Sequence, residues 1–312
     1  DVRYESRNLY VFFFTLMNCG IKNFQINYKF NYFNFIKPTI VYTSIDNNIG
    51  FFKLKKLYPD AFYIADQNGI RDNVFYSQCK KFLKKFPNYN LSTDIFFCFG
   101  NNEKKRIKKI ISGKIIALGN TTNNNRKYKK ISNFKFKHIM FISSLNIQNF
   151  KSDVKALQIS IDYSSKIGKK IYFLDRGQNN NFQFLKKKFD MTKIEYLEND
   201  KSNKEKTAKK LMSRNALAVF SHSTLGLEAL SIGVRSACFN KNFHEHYIDK
   251  NYPNTGPFWN NNIDKKNLEN LLYKLSNYSS KDWKKISQKY SNQLMAYDYN
   301  NKKKKKYLKN YL

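Results

Sequence analysis

Long apolar runs, paired cysteines and acidic side chains are what this 312-residue chain has least of. No apolar segment reaches the roughly twenty residues needed to span a bilayer. The best candidate, LYVFFFTLM from Leu9 to Met17, is followed at once by Asn18 and Cys19. It does not read as a secretory signal either, because its upstream flank DVRYESR mixes both charges. With no initiating methionine, the natural amino terminus is expected to lie further upstream. The four cysteines, Cys19, Cys79, Cys98 and Cys238, stand far apart and form no C-x-x-C pair, which suits a reducing, cytoplasmic compartment. His244 and His246 flank Glu245 without further ligands at metal spacing, so neither metal nor other cofactor is expected. The glycine fingerprints of dinucleotide-binding and P-loop proteins, G-x-G-x-x-G and G-x-x-x-x-G-K-[ST], are both missing.

Scarce acid leaves a formal charge of +34, which invites a nucleic-acid reading. Its distribution argues otherwise. Residues 1–150 carry 25 Lys and Arg against 8 Asp and Glu, and residues 151–312 carry 32 against 15, so each half has a net charge of +17. Electrostatic footprints for polyanions are normally clustered, and lysine here is spread among abundant Asn, Ile, Phe and Tyr. No specific nucleic-acid partner is expected. One dense cluster exists, Lys302 to Lys306 in NKKKKKYLKNYL. It reads as a frayed, solvated end, or as a peripheral contact with the anionic inner face of the cytoplasmic membrane.

What is present is a regular alternation. Short apolar runs at Thr39–Ile45, Ala61–Ala65, Asp94–Phe99 and Lys114–Leu118 read as buried strands, with helical patterns at Gly50–Leu57, Asn73–Phe86 and Glu103–Ile110. After the polar stretch Thr121–Lys130 a second series begins. Its strands are His138–Ser143, Lys170–Leu174, Ile194–Leu197, Leu217–Phe220 and Arg235–Phe239, connected by helices at Asp153–Ile167, Phe182–Phe189 and Lys204–Arg214. Alternating β and α elements predict two tandem α/β, doubly wound Rossmann-like domains, with ligands at the carboxyl ends of the strands. The predicted limits are 1–130, 131–290 and a terminal segment 291–312 that returns to the amino domain.

The densest site signal is Leu217–Asn240, LAVFSHSTLGLEALSIGVRSACFN. Strand, hydroxyl-rich turn, helix, turn and strand follow in one unit. Thr224 is expected at the N-cap and Gly233 at the helix end. Helix N–H groups with the Ser221, Ser223 and Thr224 hydroxyls suit a phosphate. Glu228, one turn in, suits sugar or ribose hydroxyls; a capped helix with one exposed acid reads equally well. Other strand ends bring Ser143 and Ser144, and Arg176, which can neutralise a diphosphate or pair with Asp175. The nucleotide base is expected near Glu195 and Tyr196. In the first series Gln67, Asn68, Gly69 and Arg71 form an acceptor-side turn. Asp46 and Asp66 are the carboxylates available as a general base, or serve as turn residues.

VYTSIDNN at Val41–Asn48, QNGIR at Gln67–Arg71, GNTTNNN at Gly119–Asn125, HSTLGLEALSIG at His222–Gly233, GPFWNN at Gly256–Asn261 and AYDYNN at Ala296–Asn301 together resemble a bacterial surface carbohydrate biosynthesis family similar to GT-B glycosyltransferases. HSTLGLE also resembles the S-G-T-x-x-L-E turn of lipid A disaccharide synthase, with His222 in place of the opening serine. The resemblance implies a nucleotide-sugar donor held by the carboxyl domain at His222, Ser223, Thr224, Gly226 and Glu228. It further implies a saccharide or lipid-linked acceptor on the amino domain, whose first strand precedes Asp1. No Asp-x-Asp occurs, as expected of metal-independent transfer. A nucleotide-sugar 2-epimerase of the same fold is the alternative, and a nonenzymatic polyanion-binding protein a more distant one.

Overall fold

A computed structural model describes residues 8–21, 24–71, 73–125, 136–143, 150–175, 181–197, 216–240 and 253–311. The chain divides into two compact units, Asp1–Cys98 with Lys104–Ile116, and Phe99–Glu103 with Ala117–Leu312. Each carries a β-sheet with parallel pairing, the two-domain α/β class expected from the alternating pattern.

In the first unit β1 (Ile40–Thr43), β2 (Phe62–Asp66), β3 (Ser92–Cys98) and β4 (Ser112–Ala117) lie in sequential order. β1 pairs parallel with β2, and β2 with β3. β2 and β3 are largely buried, which explains their near-continuous apolar sequences. Helix α3 (Ile49–Leu57) covers them by stacking Phe52 on Phe96 at 5.8 Å, while Lys55 pairs with Asp94, whose other oxygen accepts from the Tyr63 amide at 2.8 Å. Ahead of β1 stand α1 (Leu9–Cys19) and α2 (Phe24–Ile36), two helices to which the sequence reading assigned no element. α4 (Asn73–Lys85) and α5 (Asn101–Ile107) complete the alternation. No described helix is long and apolar enough to cross a membrane.

The second unit has β5 (His138–Ile142), β6 (Lys170–Leu174), β7 (Ile194–Leu197), β8 (Ala216–Phe220), β9 (Arg235–Phe239) and β10 (Trp259–Asn260). Their order is β10-β9-β8-β5-β6-β7, all parallel. The chain winds outward from β5 to β7, then returns to the other side of β5 with β8. Strand order therefore reverses between β5 and β8. That is the topological switch point at which open α/β sheets leave a crevice beyond their carboxyl ends. α6 (Thr121–Asn124), α7 (Phe150–Lys166), α8 (Asn181–Lys188), α9 (Thr224–Ser231), α10 (Lys265–Asn277), α11 (Ser280–Leu294) and α12 (Lys302–Lys309) accompany this sheet. The predicted helix at Lys204–Arg214 lies outside the described residues.

Local chemistry fixes the ends of α9. Gly233, at φ +87°, closes a Schellman turn in which its amide donates to Leu230 O and that of Val234 to Ala229 O, both at 3.0 Å. Trp283 Nε1 donates to the Gly233 carbonyl at 2.8 Å and seats α11 against the turn. Arg235, buried on β9, donates to the carbonyls of Leu275, Ser276 and Tyr278 at the end of α10, where the helix dipole favours a cation. The lysine-rich end is a helix rather than a frayed tail. Asp298 accepts from the Lys303 and Lys304 amides, and Lys304 is buried with its ammonium on Thr121 Oγ1 at 3.0 Å.

α9 approaches β8 closely because residue 226 has no side chain: a Cβ there would overlap the Phe220 ring. Gly226→Ala should therefore lower stability by about 1–3 kcal/mol, the cost of overpacking a filled core. The change is measurable as an earlier denaturant midpoint with unchanged slope.

Candidate functional site

β8 ends in the turn Ser221-His222-Ser223, and α9 begins at Thr224. The buried Ser221 is held from both sides of its backbone. Its hydroxyl donates to Asp153 Oδ1 on α7 at 2.6 Å, and its carbonyl accepts from Asn240 Nδ2 at 3.3 Å. Ser221 is thereby a support of the turn rather than an exposed hydroxyl. Ser223, extended at φ −143° and ψ 127°, is the N-cap; Thr224, expected there, is the first helical residue. The helix register is set by the Ser223 carbonyl, which accepts from the Gly226 amide at 3.1 Å. No side-chain cap hydrogen bond is made at this end, so the earliest amides of α9 open onto the carboxyl edge of the sheet. The amino end of a helix, with the positive end of its dipole, makes such an edge suited to an anion. Ser143, fully buried, follows β5 on the other side of the switch point, its amide donating to Leu174 O at 3.1 Å.

Glu228 lies one turn into α9 and is only 7% exposed. Its Oε1 accepts from Asn120 Nδ2 at 3.0 Å. Asn120 is itself the N-cap of α6, its Oδ1 accepting from the Thr122 and Asn123 amides at 2.8 and 3.3 Å. Asn123 in turn donates to Ser231 Oγ at 3.2 Å, at the other end of α9. The Gly119–Asn125 segment therefore aligns α9 along its length. On the bare spacing Glu228 reads equally as a solvated acid, and burial removes that reading. Asn120 was missed as a site residue. Its signal was the GNTTNNN string, a motif visible in the sequence but without an assigned role.

Not every expected donor residue is gathered here. Glu195 is exposed in the middle of β7, the edge strand, with β6 and β5 between it and β8. At about 4.8 Å per strand it stands roughly 14 Å along the sheet from β8. Gly226 serves the packing of α9 on Phe220. Ser144 and Arg176 lie outside the described residues, as do His244 and His246. Among the described residues no three His, Cys, Asp or Glu side chains stand together as metal ligands.

In the first unit, Asp46 was expected as a candidate base and has a different occupation. It is fully buried, and Arg71, itself buried, grips both carboxylate oxygens, with Nε at 2.7 Å from Oδ2 and Nη2 on Oδ1. The same Nη2 donates to Asn68 Oδ1 at 2.6 Å, and the Asn68 amide to Asp46 Oδ1 at 3.1 Å. Burial pushes the Asp46 carboxyl up while the Arg71 guanidinium pulls it back. The pair ties the loop after β1 to the QNGIR turn after β2, where Gln67 Nε2 donates to Gly69 O at 2.9 Å. Asp66 is the more available carboxylate by position, at the very end of β2. Its Oδ2 accepts from Tyr42 Oη at 2.7 Å, and burial, then the charge of Asp66, keep that phenol protonated.

Residues 170–312, a little under half the chain, match a family model described as "putative O-antigen biosynthesis protein". The carboxyl-terminal part of the chain is similar to that family. No curated protein matches by sequence. Among solved structures, a putative UDP-N-acetylglucosamine 2-epimerase from Listeria monocytogenes is similar, with a TM-score of 0.59 at 12% identity over 90% of this chain and 77% of that one. The UDP-GlcNAc 2-epimerase of Methanocaldococcus jannaschii, in complex with UDP-GlcNAc and UDP, gives 0.56 at 15% over 92% and 80%. The pneumococcal O-GlcNAc transferase GtfA, in complex with UDP and GlcNAc, gives 0.52 at 10% over 92% of this chain but only 59% of its own. At such identities the likeness is one of fold, the two Rossmann-like domains of GT-B proteins.

Two outcomes follow from these geometries. Asp46→Ala would strand a buried guanidinium and should destabilise the protein by about 3–5 kcal/mol in chemical denaturation, with Arg71→Ala comparably harmful. All four cysteines are free, and burial pushes the Cys79 and Cys98 thiols up to about 11 and about 12, and that of Cys238 well above its ordinary value. Iodoacetamide at pH 8 should therefore label the native protein only at the exposed Cys19, and all four residues after denaturation, as counted by intact mass.

Proposed function

We propose that this protein transfers a sugar from a nucleotide-sugar donor to a surface polysaccharide or lipid-linked acceptor. The observation that carries the reading is the start of α9 at the sheet's switch point, where the N-cap Ser223 makes no side-chain cap hydrogen bond, one turn before a buried glutamate held by Asn120. Support comes also from the family match of the carboxyl-terminal part, and from the binding of UDP or UDP-sugars by proteins of similar fold.

In this reading the donor diphosphate sits on the first-turn amides of α9, with the Ser223 and Thr224 hydroxyls and His222 beside it. The bond from the anomeric carbon to the diphosphate oxygen breaks, and the diphosphate leaves with the electron pair. Its growing charge meets amides and a dipole already in place, which cost no reorganisation during reaction. The acceptor oxygen bonds to the anomeric carbon and gives its proton to a general base. Glu228 accepts from a sugar or ribose hydroxyl through its carboxylate. Transfer proceeds without a metal ion.

The second reading is a nucleotide-sugar 2-epimerase, favoured by the two UDP-GlcNAc 2-epimerases of similar fold. Incubation with UDP-sugars and no acceptor separates the two, because an epimerase turns over alone.

A thermal-shift screen of nucleotide sugars should find one donor that, at a hundred times its dissociation constant, adds about 2.7 kcal/mol of stability. Glu228→Gln keeps the acceptor for Asn120 but loses the charge, and should weaken that donor by about 1.5–3 kcal/mol in calorimetry. A folded variant with unchanged affinity would remove Glu228 from the donor site.

A further inference from the structure

Glu228 is tied to one turn of the chain at both its ends. Its Oε1 accepts from Asn120 Nδ2 at 3.0 Å, and its carbonyl accepts from Ser231 Oγ at 2.7 Å, a hydroxyl that itself accepts from Asn123 Nδ2 at 3.2 Å. The side-chain amide of Asn120 has one orientation open to it. Its oxygen accepts from the Thr122 and Asn123 amides at 2.8 and 3.3 Å, so its nitrogen faces the glutamate. Turned over, the same group would set N–H against N–H at the cap of α6 and oxygen against carboxylate at Glu228. The turn that carries it is fixed as well. Gly119, at φ +81°, lies so near the Ala296 carbonyl that a Cβ would overlap it. Asn124 donates to Leu118 O at 2.8 Å, and its Oδ1 accepts from the Asp298 amide at 3.0 Å.

An N–H aimed at a carboxylate oxygen favours the ionised form. The half-buried Asn120 therefore presents Glu228, 7% exposed, as an acceptor of defined direction, which is what a sugar or ribose hydroxyl requires. The charged and titratable groups of the elements packed around α9 and α6 have places of their own. Lys304 lies on Thr121 Oγ1, Asp298 accepts from the first amides of α12, and Arg235 donates to carbonyls at the end of α10. The Cys238 thiol lies on Ser221 O, and the lysines and the aspartate of α11 are exposed.

We propose that Asn120 is a positioning residue of the donor site: it orients the Glu228 carboxylate and holds it ionised, so that a donor hydroxyl meets an acceptor already in place. This assignment rests on the nucleotide-sugar reading. Its test is Asn120→Asp. Aspartate caps a helix as well as asparagine does, so one oxygen keeps the α6 amides and the other is turned on Glu228. Two carboxyls in contact share one proton. While that proton is held, the aspartic acid donates to Glu228 as the amide did; once it leaves, like charges push Glu228 aside. The folded state binds this proton more tightly than the unfolded chain, so the contact stabilises at low pH and is lost as pH rises through the folded titration.

Calorimetry with UDP-N-acetylglucosamine, UDP-glucose and GDP-mannose at pH 5.5 and pH 8 reads donor binding, and the melting temperature without nucleotide reads the contact itself. The tightest of these nucleotide sugars should bind Asn120→Asp within about threefold of the unaltered protein at pH 5.5 and about tenfold more weakly than it at pH 8. Over the same interval the melting temperature of Asn120→Asp should fall relative to that of the unaltered protein. Combining Asn120→Asp with Glu228→Gln reverses the hydrogen bond, the glutamine amide now donating to the aspartate. The pair should remove the pH dependence of the melting temperature while donor binding stays as weak as in Glu228→Gln alone. If Asn120→Asp is unfolded at pH 8, Asn120→Ser, which keeps the cap but is too short to reach Glu228, should weaken binding about tenfold at both pH values. Donor affinity that either Asn120 variant leaves unchanged, while Glu228→Gln weakens it, overturns the proposal and spares the donor reading. Binding of none of the nucleotide sugars, or unchanged affinity in Glu228→Gln, overturns the donor reading and the proposal with it.

Discussion

The reversal of strand order between β5 and β8 is the constraint on which the carboxyl-terminal unit depends. Parallel pairing on both sides of β5 requires the chain to leave β7 and return across the sheet, and the loops after β5 and β8 then depart in opposite senses. The serines that end these strands, Ser143 and Ser221, are both buried at that point. α9 starts there because Phe220 ends the strand and a glycine lets the helix lie directly on its ring. Each of these is a packing requirement. Their joint result is a helix amino terminus presented at the carboxyl edge of the sheet.

Asparagine and aspartate then do what an apolar core cannot, fixing segments far apart in sequence to one another. Asn120 caps α6 and holds Glu228; Asn124 Oδ1 accepts from the Asp298 amide; the Asp298 carboxylate accepts from the first amides of α12; Asn301 donates to Thr121 O and Asn125 Oδ1. Buried polar groups require partners, so such a network tolerates one arrangement and rejects near misses. Gly119 belongs to the same join, since a Cβ there would overlap the Ala296 carbonyl, and its φ of +81° favours glycine in any case. The Asp46–Arg71 pair serves the first unit in a similar way, trading a possible proton acceptor for a rigid turn. It also concentrates attention on Asp66, whose neighbour Tyr42 stays protonated beside it.

Much of the fold was legible because its signals are local. Apolar runs at β6, β7 and β9 predict strands whose limits match those observed, and Gly233 marks the end of α9 through its backbone alone. The two-residue strand β10 was not legible, because Trp259 and Asn260 become a strand only through their register with Cys238 and Phe239. The α1–α2 hairpin was missed for a related reason. Most of its large apolar residues are exposed, so they mark no core, and LYVFFFTLM reads simply as a run too short to span a bilayer.

The sequence by itself determined the alternation of elements, their α/β class, the hydroxyl-rich turn at His222–Thr224 and the even spread of positive charge. All are set by side-chain periodicity, turn chemistry and composition, which act over a few residues or over none. Tertiary structure alone decided which carboxylate does what. Asp46 is claimed by an arginine 25 residues away, Glu228 by an asparagine 108 residues away, and Glu195 is left on an edge strand. Those choices follow from strand order and burial, where the cost of an unpartnered polar group is paid across the whole chain rather than at its own position.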